Sequence, residues 1–201
     1  MSTTVIRYVI LGFMGRWKPD ARARLEKAAL ALYREHGFAE TTVAEIAERA
    51  GLTERTFFRY FADKREVLFS GAETLRQQLE RGLDDAPRSL SPIDAVGAAV
   101  EATAASFEAR RDLARKRQAV IAENAELQER ERIKLASLAS TLAQGLRRRG
   151  VGDPAASLAA EMGITVLRIA FDRWINEKSD RSLAAIMRDS LKELKLVSAG
   201  T

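Results

Sequence analysis

The sequence has no cysteine and a single histidine among its 201 residues. The lack of cysteine excludes disulfide bonds, thiolate catalysis and cysteine-ligated metal sites. The one histidine, His36, follows a helical pattern, a position typical of a cation near the carboxyl end of a helix. Since the chain also lacks a glycine-rich phosphate loop and a serine elbow, we expect no catalytic residues, no metal and no cofactor.

Proline and long apolar runs are equally scarce. The four prolines lie between helical patterns or at their starts, and the chain is 46% hydrophobic and 30% charged. These proportions suit a substantial core, and the aliphatic and alanine-rich content predicts an all-α fold. The most apolar stretch, residues 5–14, is interrupted by Arg7 and is too short to span a bilayer. We therefore expect a cytoplasmic protein with no membrane partner.

What the chain does contain is a helix, a tight turn and a second helix between residues 42 and 61. Thr42 and Glu45 form the pattern of a capping box, in which hydroxyl and carboxylate each satisfy a backbone N–H at a helix start. Gly51 tolerates the left-handed conformation at the helix end, and a new helix starts at Thr53. This order is typical of a helix-turn-helix. The first helix is supported by the helical spacing of Val43, Ile46, Ala47 and Ala50.

The second helix has two unlike faces. One is aromatic and is predicted to enter the core. The other suits the major groove, where guanidinium pairs with guanine, carboxylate accepts from cytosine and a ring touches the thymine methyl. The alternative is a polar face exposed only to solvent. The aromatic face comprises Phe57, Tyr60 and Phe61, and the other comprises Glu54, Arg55 and Phe58 with Arg59 at its edge.

Residues 19–69 resemble the N-terminal domain of the TetR (tetracycline-repressor-like) family of transcription regulators. Small and bulky residues agree in order and spacing throughout this range. The resemblance implies an all-α protein of about nine helices, with an N-terminal three-helix helix-turn-helix domain and a C-terminal helical domain for ligand binding and dimerisation. The matching landmarks are Ala28–Tyr33, His36–Phe38, Thr41–Ala47, Ala50–Thr53 and Phe57–Lys64.

The resemblance also implies individual DNA contacts. Thr42 and Lys64 are expected to contact phosphates. The family usually has tyrosine where this chain has Phe58, so the hydroxyl contact of that tyrosine is absent and Arg59 is its expected replacement. The residues expected to approach the groove are Thr53, Glu54, Arg55, Thr56, Phe58 and Arg59.

Four segments are predicted along the chain. Residues 1–15 form an N-terminal extension, 16–62 the helix-turn-helix domain, 63–82 a connecting helix capped by Asp63, and 83–201 the C-terminal domain. Family-like sequence starts near Gly15, so residues 1–13 either precede a start at Met14 or pack as an arm against the body. The later helices are predicted at Ser91–Arg110, Asp112–Glu123, Ala125–Arg149, Pro154–Asn176 and Arg181–Val197.

The last two helices carry apolar stripes. In the TetR family these helices form a four-helix bundle across a dimer, so the resemblance implies a homodimer here; the alternative is that the stripes enter the core of one chain. The stripes contain Leu158, Met162, Thr165, Val166 and Ile169 on one helix, and Leu183, Ile186, Met187, Leu191 and Leu194 on the other.

Residues 110–152 are similar to a TetR subgroup associated with acyl-CoA-like ligands and mycofactocin systems. This similarity implies an apolar tunnel lined by Phe107, Val166 and Trp174. It also implies a basic run facing a CoA phosphate, for which a solvated helical face is the alternative. The run contains Arg110, Arg111, Arg115, Lys116 and Arg117.

These patterns predict a ligand-responsive transcriptional regulator. We expect a homodimeric repressor that binds a palindromic DNA operator and is released by a small apolar or acyl-type effector. The alternative is a helical adaptor protein without sequence-specific DNA binding, which the basic net charge of +5 also permits. An adaptor function does not explain why rings and cations alternate on two capped helices.

Overall fold

The computed structural model describes residues 21–200. They form ten α-helices and one short 3-10 helix, without a strand among the described residues, so the predicted all-α fold is confirmed. The chain divides into two compact units, the first ending at Leu68 and the second starting at Phe69. The helices are α1 (Ala21–His36), α2 (Val43–Arg49), α3 (Glu54–Tyr60), α4 (Ala72–Asp85), α5 (Pro92–Ala102), α6 (Ala104–Glu108), α7 (Arg111–Ala122), α8 (Ala125–Arg148), α9 (Ala155–Asn176) and α10 (Leu183–Ala199).

The first unit is a three-helix arrangement around one small core. Leu25 of α1, Ile46 of α2 and Phe57 of α3 are each fully buried. Both connections contain a glycine with positive φ, 85° at Gly37 and 62° at Gly51, a conformation that costs glycine little. The predicted helix end at Gly51 is therefore confirmed, and Gly37 ends α1 in the same way.

The second unit packs α4, α5, α8, α9 and α10 around a larger apolar core. Small residues allow the helices to approach closely. A Cβ on Gly163 of α9 would lie 2.0 Å from a methyl carbon of Val96, and one on Gly97 of α5 would lie 2.3 Å from a methyl carbon of Leu191. The glycines in these helices thus permit close crossings that a larger side chain would block.

The connecting helix predicted over residues 63–82 is not continuous. Its first part is the 3-10 helix Glu66–Phe69, and α4 begins only at Ala72. Val67, Leu68 and Phe69 are all buried. A short 3-10 turn of this kind is a common connector between helices. Helix α4 also runs to Asp85, beyond the predicted end of the connecting helix at residue 82.

The helix predicted over Ser91–Arg110 is broken into α5 and α6 at Thr103. The buried Thr103 hydroxyl donates to the carbonyl of Val100 at 2.7 Å. A threonine that bonds its own preceding turn competes with the regular backbone ladder, which accounts for the break. The other predicted helices of the second unit are present, with ends displaced by a few residues.

Residues 1–20 lie outside the described part of the chain, and so do the predictions made for the N-terminal extension. The description also omits Thr201. Among residues 21–200, none of the helices combines the length and the apolar character that a bilayer-spanning segment requires.

Candidate nucleic-acid interface

The capping box at the start of α2 is present as predicted. The backbone N–H and the hydroxyl of Thr42 donate to the Glu45 carboxylate at 2.7 and 2.8 Å, and the Glu45 N–H donates to the Thr42 hydroxyl at 3.2 Å. The hydrogen bond from the Thr42 backbone is the main reason that the pKa of Glu45 is lowered. Thr42 is exposed at the helix start, with its hydroxyl hydrogen directed at Glu45.

Helix α3 is capped by the predicted residue, Thr53. The N–H of Thr56 donates to the Thr53 hydroxyl at 3.2 Å, and the two threonine hydroxyls lie 3.0 Å apart. Thr53 is exposed and Thr56 is half-buried. These contacts fix the direction in which α3 leaves the turn.

The outer face of α3 carries the predicted residues. Glu54 and Arg55 are exposed, and neither has a hydrogen bond or ion pair with any residue in the range 21–200. Phe58 is 55% exposed, and its ring meets the fully buried ring of Phe57 edge-on, with centroids 5.5 Å apart. The helix is thus anchored by one ring and presents another beside two unpaired charges.

Tyr60 differs from its prediction as a core residue. It is 38% exposed, and the Arg59 guanidinium donates to its hydroxyl at 3.2 Å and stacks 5.0 Å from the ring centroid. Because the tyrosine oxygen accepts here, its own hydrogen is available to donate outward. The hydroxyl that is missing at Phe58 is thus present two residues later. The adjacent Arg59 and Tyr60 were the signal in the sequence that could have indicated this hydroxyl.

Lys64 is the predicted residue whose surroundings differ most from those expected for a phosphate contact. Its ammonium lies 2.8 Å from the carbonyl oxygen of Phe38, 2.9 Å from that of Ala39 and 2.8 Å from that of Thr41. The ammonium also lies 4.6 Å from the centroid of the Phe38 ring. Each ammonium hydrogen therefore has an acceptor in the turn between α1 and α2. The phosphate contact of Lys64 remains a prediction.

Two family models match this chain. Residues 25–70 match the bacterial regulatory proteins of the tetR family, and residues 90–198 match the MftR C-terminal domain. The second match alone covers more than half of the chain. The chain belongs to the TetR family. This TetR-family protein is accordingly a DNA-binding transcriptional regulator, with α2 and α3 as its helix-turn-helix, and proteins of this family form dimers.

Relatives of this TetR-family protein agree with the assignment. It is 28% identical over 169 residues to MftR of Mycobacterium tuberculosis, named as a mycofactocin biosynthesis transcriptional regulator, with 83% of this chain and 85% of the relative covered. Its fold is similar to FadR from Bacillus subtilis in complex with stearoyl-CoA, with TM-score 0.59, 21% identity and coverage of 86% and 96%. It is also similar to SmeT, repressor of the multidrug efflux pump SmeDEF of Stenotrophomonas maltophilia, with TM-score 0.56, 23% identity and 90% of both chains covered.

In the C-terminal domain, two of the three predicted ligand-lining residues belong to one aromatic cluster. The rings of Phe107 and Phe171 lie 5.4 Å apart, and those of Phe171 and Trp174 lie 5.9 Å apart. Phe171 was missed, although its spacing of three from Trp174 on a helix was the signal. Val166 is also buried, but it lies outside the core cluster that contains Trp174.

The basic run of α7 is neither the predicted phosphate-binding face nor a purely solvated one. The Arg111 guanidinium donates to the carbonyl of Ser179 at 3.1 Å and also to those of Trp174 and Glu177. Arg115 donates to the carbonyl of Ile175 at 2.7 Å. These two arginines satisfy carbonyls at the end of α9, where a helix leaves acceptors unpaired.

A third member of the run, Arg117, is occupied in a different way. It pairs with the Glu131 carboxylate at 3.2 Å and stacks on the Phe69 ring at 5.1 Å. Burial lowers the pKa of Arg117, and the charge of Glu131 opposes this effect. Among the five basic residues, Arg110, Arg115 and Lys116 are exposed.

Proposed function

We propose that this protein is a homodimeric repressor that binds a palindromic operator and is released by a small apolar or acyl-type effector. The observation that carries the DNA-binding part is the outer face of α3. Glu54, Arg55 and Phe58 are exposed there, while Phe57 behind them is fully buried. A helix anchored in this way can enter a major groove without losing its own core contacts. Such a regulator acts in the cytoplasm, where bacterial DNA lies.

The roles on the DNA follow from the chemistry of each side chain. Arg55 can pair bidentately with guanine, Glu54 can accept from cytosine, and Phe58 can touch a thymine methyl. Thr53 and Thr56 at the start of the helix supply hydroxyls near the groove edge. Among backbone contacts, the Thr42 hydroxyl can donate to a phosphate by turning its hydrogen away from Glu45, and the pair Arg59 and Tyr60 offers a cation and an outward O–H to one phosphate.

The dimer interface is assigned to the exposed parts of the apolar stripes. Leu158 and Ile169 of α9 are 55% and 42% exposed. Their separation of eleven residues places them on one side of the helix. On α10, Leu183, Ile186 and Met187 of the stripe are buried within the chain and Leu191 and Leu194 are half-buried, while Leu196 and Val197, outside the predicted stripe, are 54% and 70% exposed. Two-fold symmetry would place two copies of α3 about 34–36 Å apart, one turn of duplex DNA, or at a multiple of it.

The effector site is assigned to the aromatic cluster of Phe107, Phe171 and Trp174, with Val166 as a further lining residue. The acyl chain class is supported by the fold shared with a FadR that was solved with stearoyl-CoA. An apolar chain inserted among these rings would favour a different helix arrangement. Ligand couplings in such switches are typically about 1–3 kcal/mol.

The test is to sequence the genomic fragments that the purified protein retains, then to measure operator affinity by fluorescence anisotropy and mass by light scattering. We expect a retained palindrome, a dimer, and weaker binding when stearoyl-CoA is added but not when free CoA is added. Tyr60→Phe should weaken binding to all sequences by about 1 kcal/mol. The proposal fails if no fragment is retained at low salt, and its effector part fails if acyl-CoA esters of every chain length leave affinity unchanged.

A further inference from the structure

Helix α2 is held at its start by Lys64. The three carbonyls that accept from the ammonium belong to Phe38, Ala39 and Thr41, in the turn that leads into the capping residue Thr42. A tetrahedral ammonium has three donors and no more, so this arrangement uses its full hydrogen-bonding capacity. A phosphate could be reached only by giving up at least one carbonyl, which would then lose its partner.

The backbone of Lys64 is held as well. The Tyr33 hydroxyl of α1 donates to the Lys64 carbonyl at 2.6 Å. Tyr33 is 3% exposed, and its ring meets that of Phe38 edge-on at 5.2 Å. Lys64 is therefore connected to α1 through its main chain and to the turn before α2 through its side chain.

The other end of α2 is held by a second cation. The Arg24 guanidinium of α1 donates to the carbonyl of Ala50 and, at 3.3 Å, to that of Gly51. These are the carbonyls at the carboxyl end of α2, and Thr53, the cap of α3, follows two residues later. The same nitrogen would lie 2.9 Å from a Cβ on Gly51, so the turn and the arginine fit closely.

We propose that Lys64 and Arg24 are positioning residues that hold the two ends of α2 and thereby fix where α3 sits against DNA, and that the Lys64 ammonium does not contact a phosphate. The proposal rests on the DNA-binding function proposed above. The proposal divides the cations of the first unit into two groups. Arg55 and Arg59 face outward, whereas Lys64 and Arg24 donate hydrogen bonds to main-chain carbonyls.

Salt dependence distinguishes a positioning lysine from a phosphate contact. Each phosphate contact contributes about 0.9 to the slope of log affinity against log salt on duplex DNA. In Lys64→Gln we expect that slope to be unchanged, whereas Arg59→Gln should lose about 1. Lys27 is exposed on α1 and has no proposed DNA contact, so Lys27→Gln is the control for the loss of one positive charge.

Specificity gives the second readout. With α3 displaced, Lys64→Gln and Arg24→Gln should each bind the operator about tenfold more weakly while binding to scrambled DNA changes little, a loss worth one or two hydrogen bonds. Lys64→Arg should not restore the operator affinity, because the longer guanidinium holds its donors in one planar fork, whereas the ammonium directs three donors tetrahedrally from a single nitrogen to these carbonyls. A simple loss of fold stability would leave the ratio of specific to non-specific affinity unchanged well below the melting temperature.

Amide hydrogen exchange on the full chain tests the same idea without DNA. Lys64→Gln should speed exchange at Thr42, Glu45 and Ile46, and Arg24→Gln should speed it at Gly51 and Leu52, whose amides donate to carbonyls of α2. Arg59→Gln should affect neither set.

The positioning role is overturned if the salt slope falls by about 1 in Lys64→Gln, if Lys64→Arg restores full affinity, or if exchange at both ends of α2 is unchanged. If the wild-type protein binds no DNA, the function proposed above fails while the exchange result still decides the positioning role.

Discussion

In the first unit Arg55 projects from α3 without a hydrogen bond or ion pair to any described residue, whereas Arg111, Arg115 and Arg149 of the second unit all donate to main-chain carbonyls. Arg149 reaches the carbonyls of Leu83, Ala86 and Pro87 at 2.6, 2.8 and 2.8 Å, at the end of α4. An arginine in a helical pattern can therefore either be available to a ligand or stabilise the end of a neighbouring helix. An arginine indicates a ligand site only where its donors are left unused by the chain itself.

The largest expected effect is the loss of an internal arginine. Arg111→Met would leave three carbonyls at the end of α9 without their charged donor, and hydrogen bonds to charged groups contribute about 1.5–3 kcal/mol. We expect the free energy of unfolding to fall by about 3 kcal/mol, measured by urea denaturation with circular dichroism. Arg110→Met, which removes the exposed neighbouring charge, should stay within about 0.5 kcal/mol of wild type. Equal stability of both variants would show that the internal hydrogen bonds of Arg111 do not stabilise the second unit, and the contrast with Arg55 would then fail.

The next effect is the loss of an outward arginine. Arg55→Ala should leave the free energy of unfolding within about 0.5 kcal/mol of wild type, because the side chain has no internal partner. It should reduce discrimination at one base pair of each half-site by about 2 kcal/mol. Binding of operator variants with single base-pair changes measures this, with Arg34→Ala on α1 as the control for lost charge. A variant with unchanged base preference would exclude Arg55 from direct readout.

The smallest effect concerns Tyr33 and appears only at high pH. Burial, assisted by the nearby Asp63 carboxylate, raises the pKa of Tyr33 well above its usual value of about 10. The unfolded chain therefore ionises this phenol first, so the stability it contributes is complete below pH 10 and is lost as pH rises above about 10. Tyr33→Phe should show less loss of stability between pH 9 and 11, measured by urea midpoints. Parallel losses in the two proteins would contradict the shift.

The sequence was most informative in the helix-turn-helix. Capping at Thr42, the start of a helix at Thr53, termination at Gly51 and the exposure of Glu54, Arg55 and Phe58 were all predicted correctly. These features depend on residues within a turn or two of each other, so a local pattern contains most of the information. Tyr60 was the exception, since it is 38% exposed and pairs with Arg59 outside the core.

Predictions that depended on distant partners were less successful. The apolar periodicity of the second unit gave its helices, yet it did not separate Leu183, Ile186 and Met187, which are buried within the chain, from the exposed Leu158 and Ile169. The continuous helix expected over residues 63–82 failed for a similar reason. Within it, the Phe69 ring lies under the Arg117 guanidinium, which comes more than forty residues later in the chain.

The amino-acid sequence by itself determined that this is an all-helical protein, where α2 and α3 start and stop, and which family it resembles, since those properties follow from capping, helical spacing and turn residues. Only the tertiary structure decided which cations are available to a ligand. Lys64 and Arg24 meet carbonyls more than twenty residues away, and Arg111 meets carbonyls more than sixty residues away. The physical reason is that an unpaired carbonyl at a helix end attracts any donor that the fold brings near it, and sequence spacing does not record that proximity.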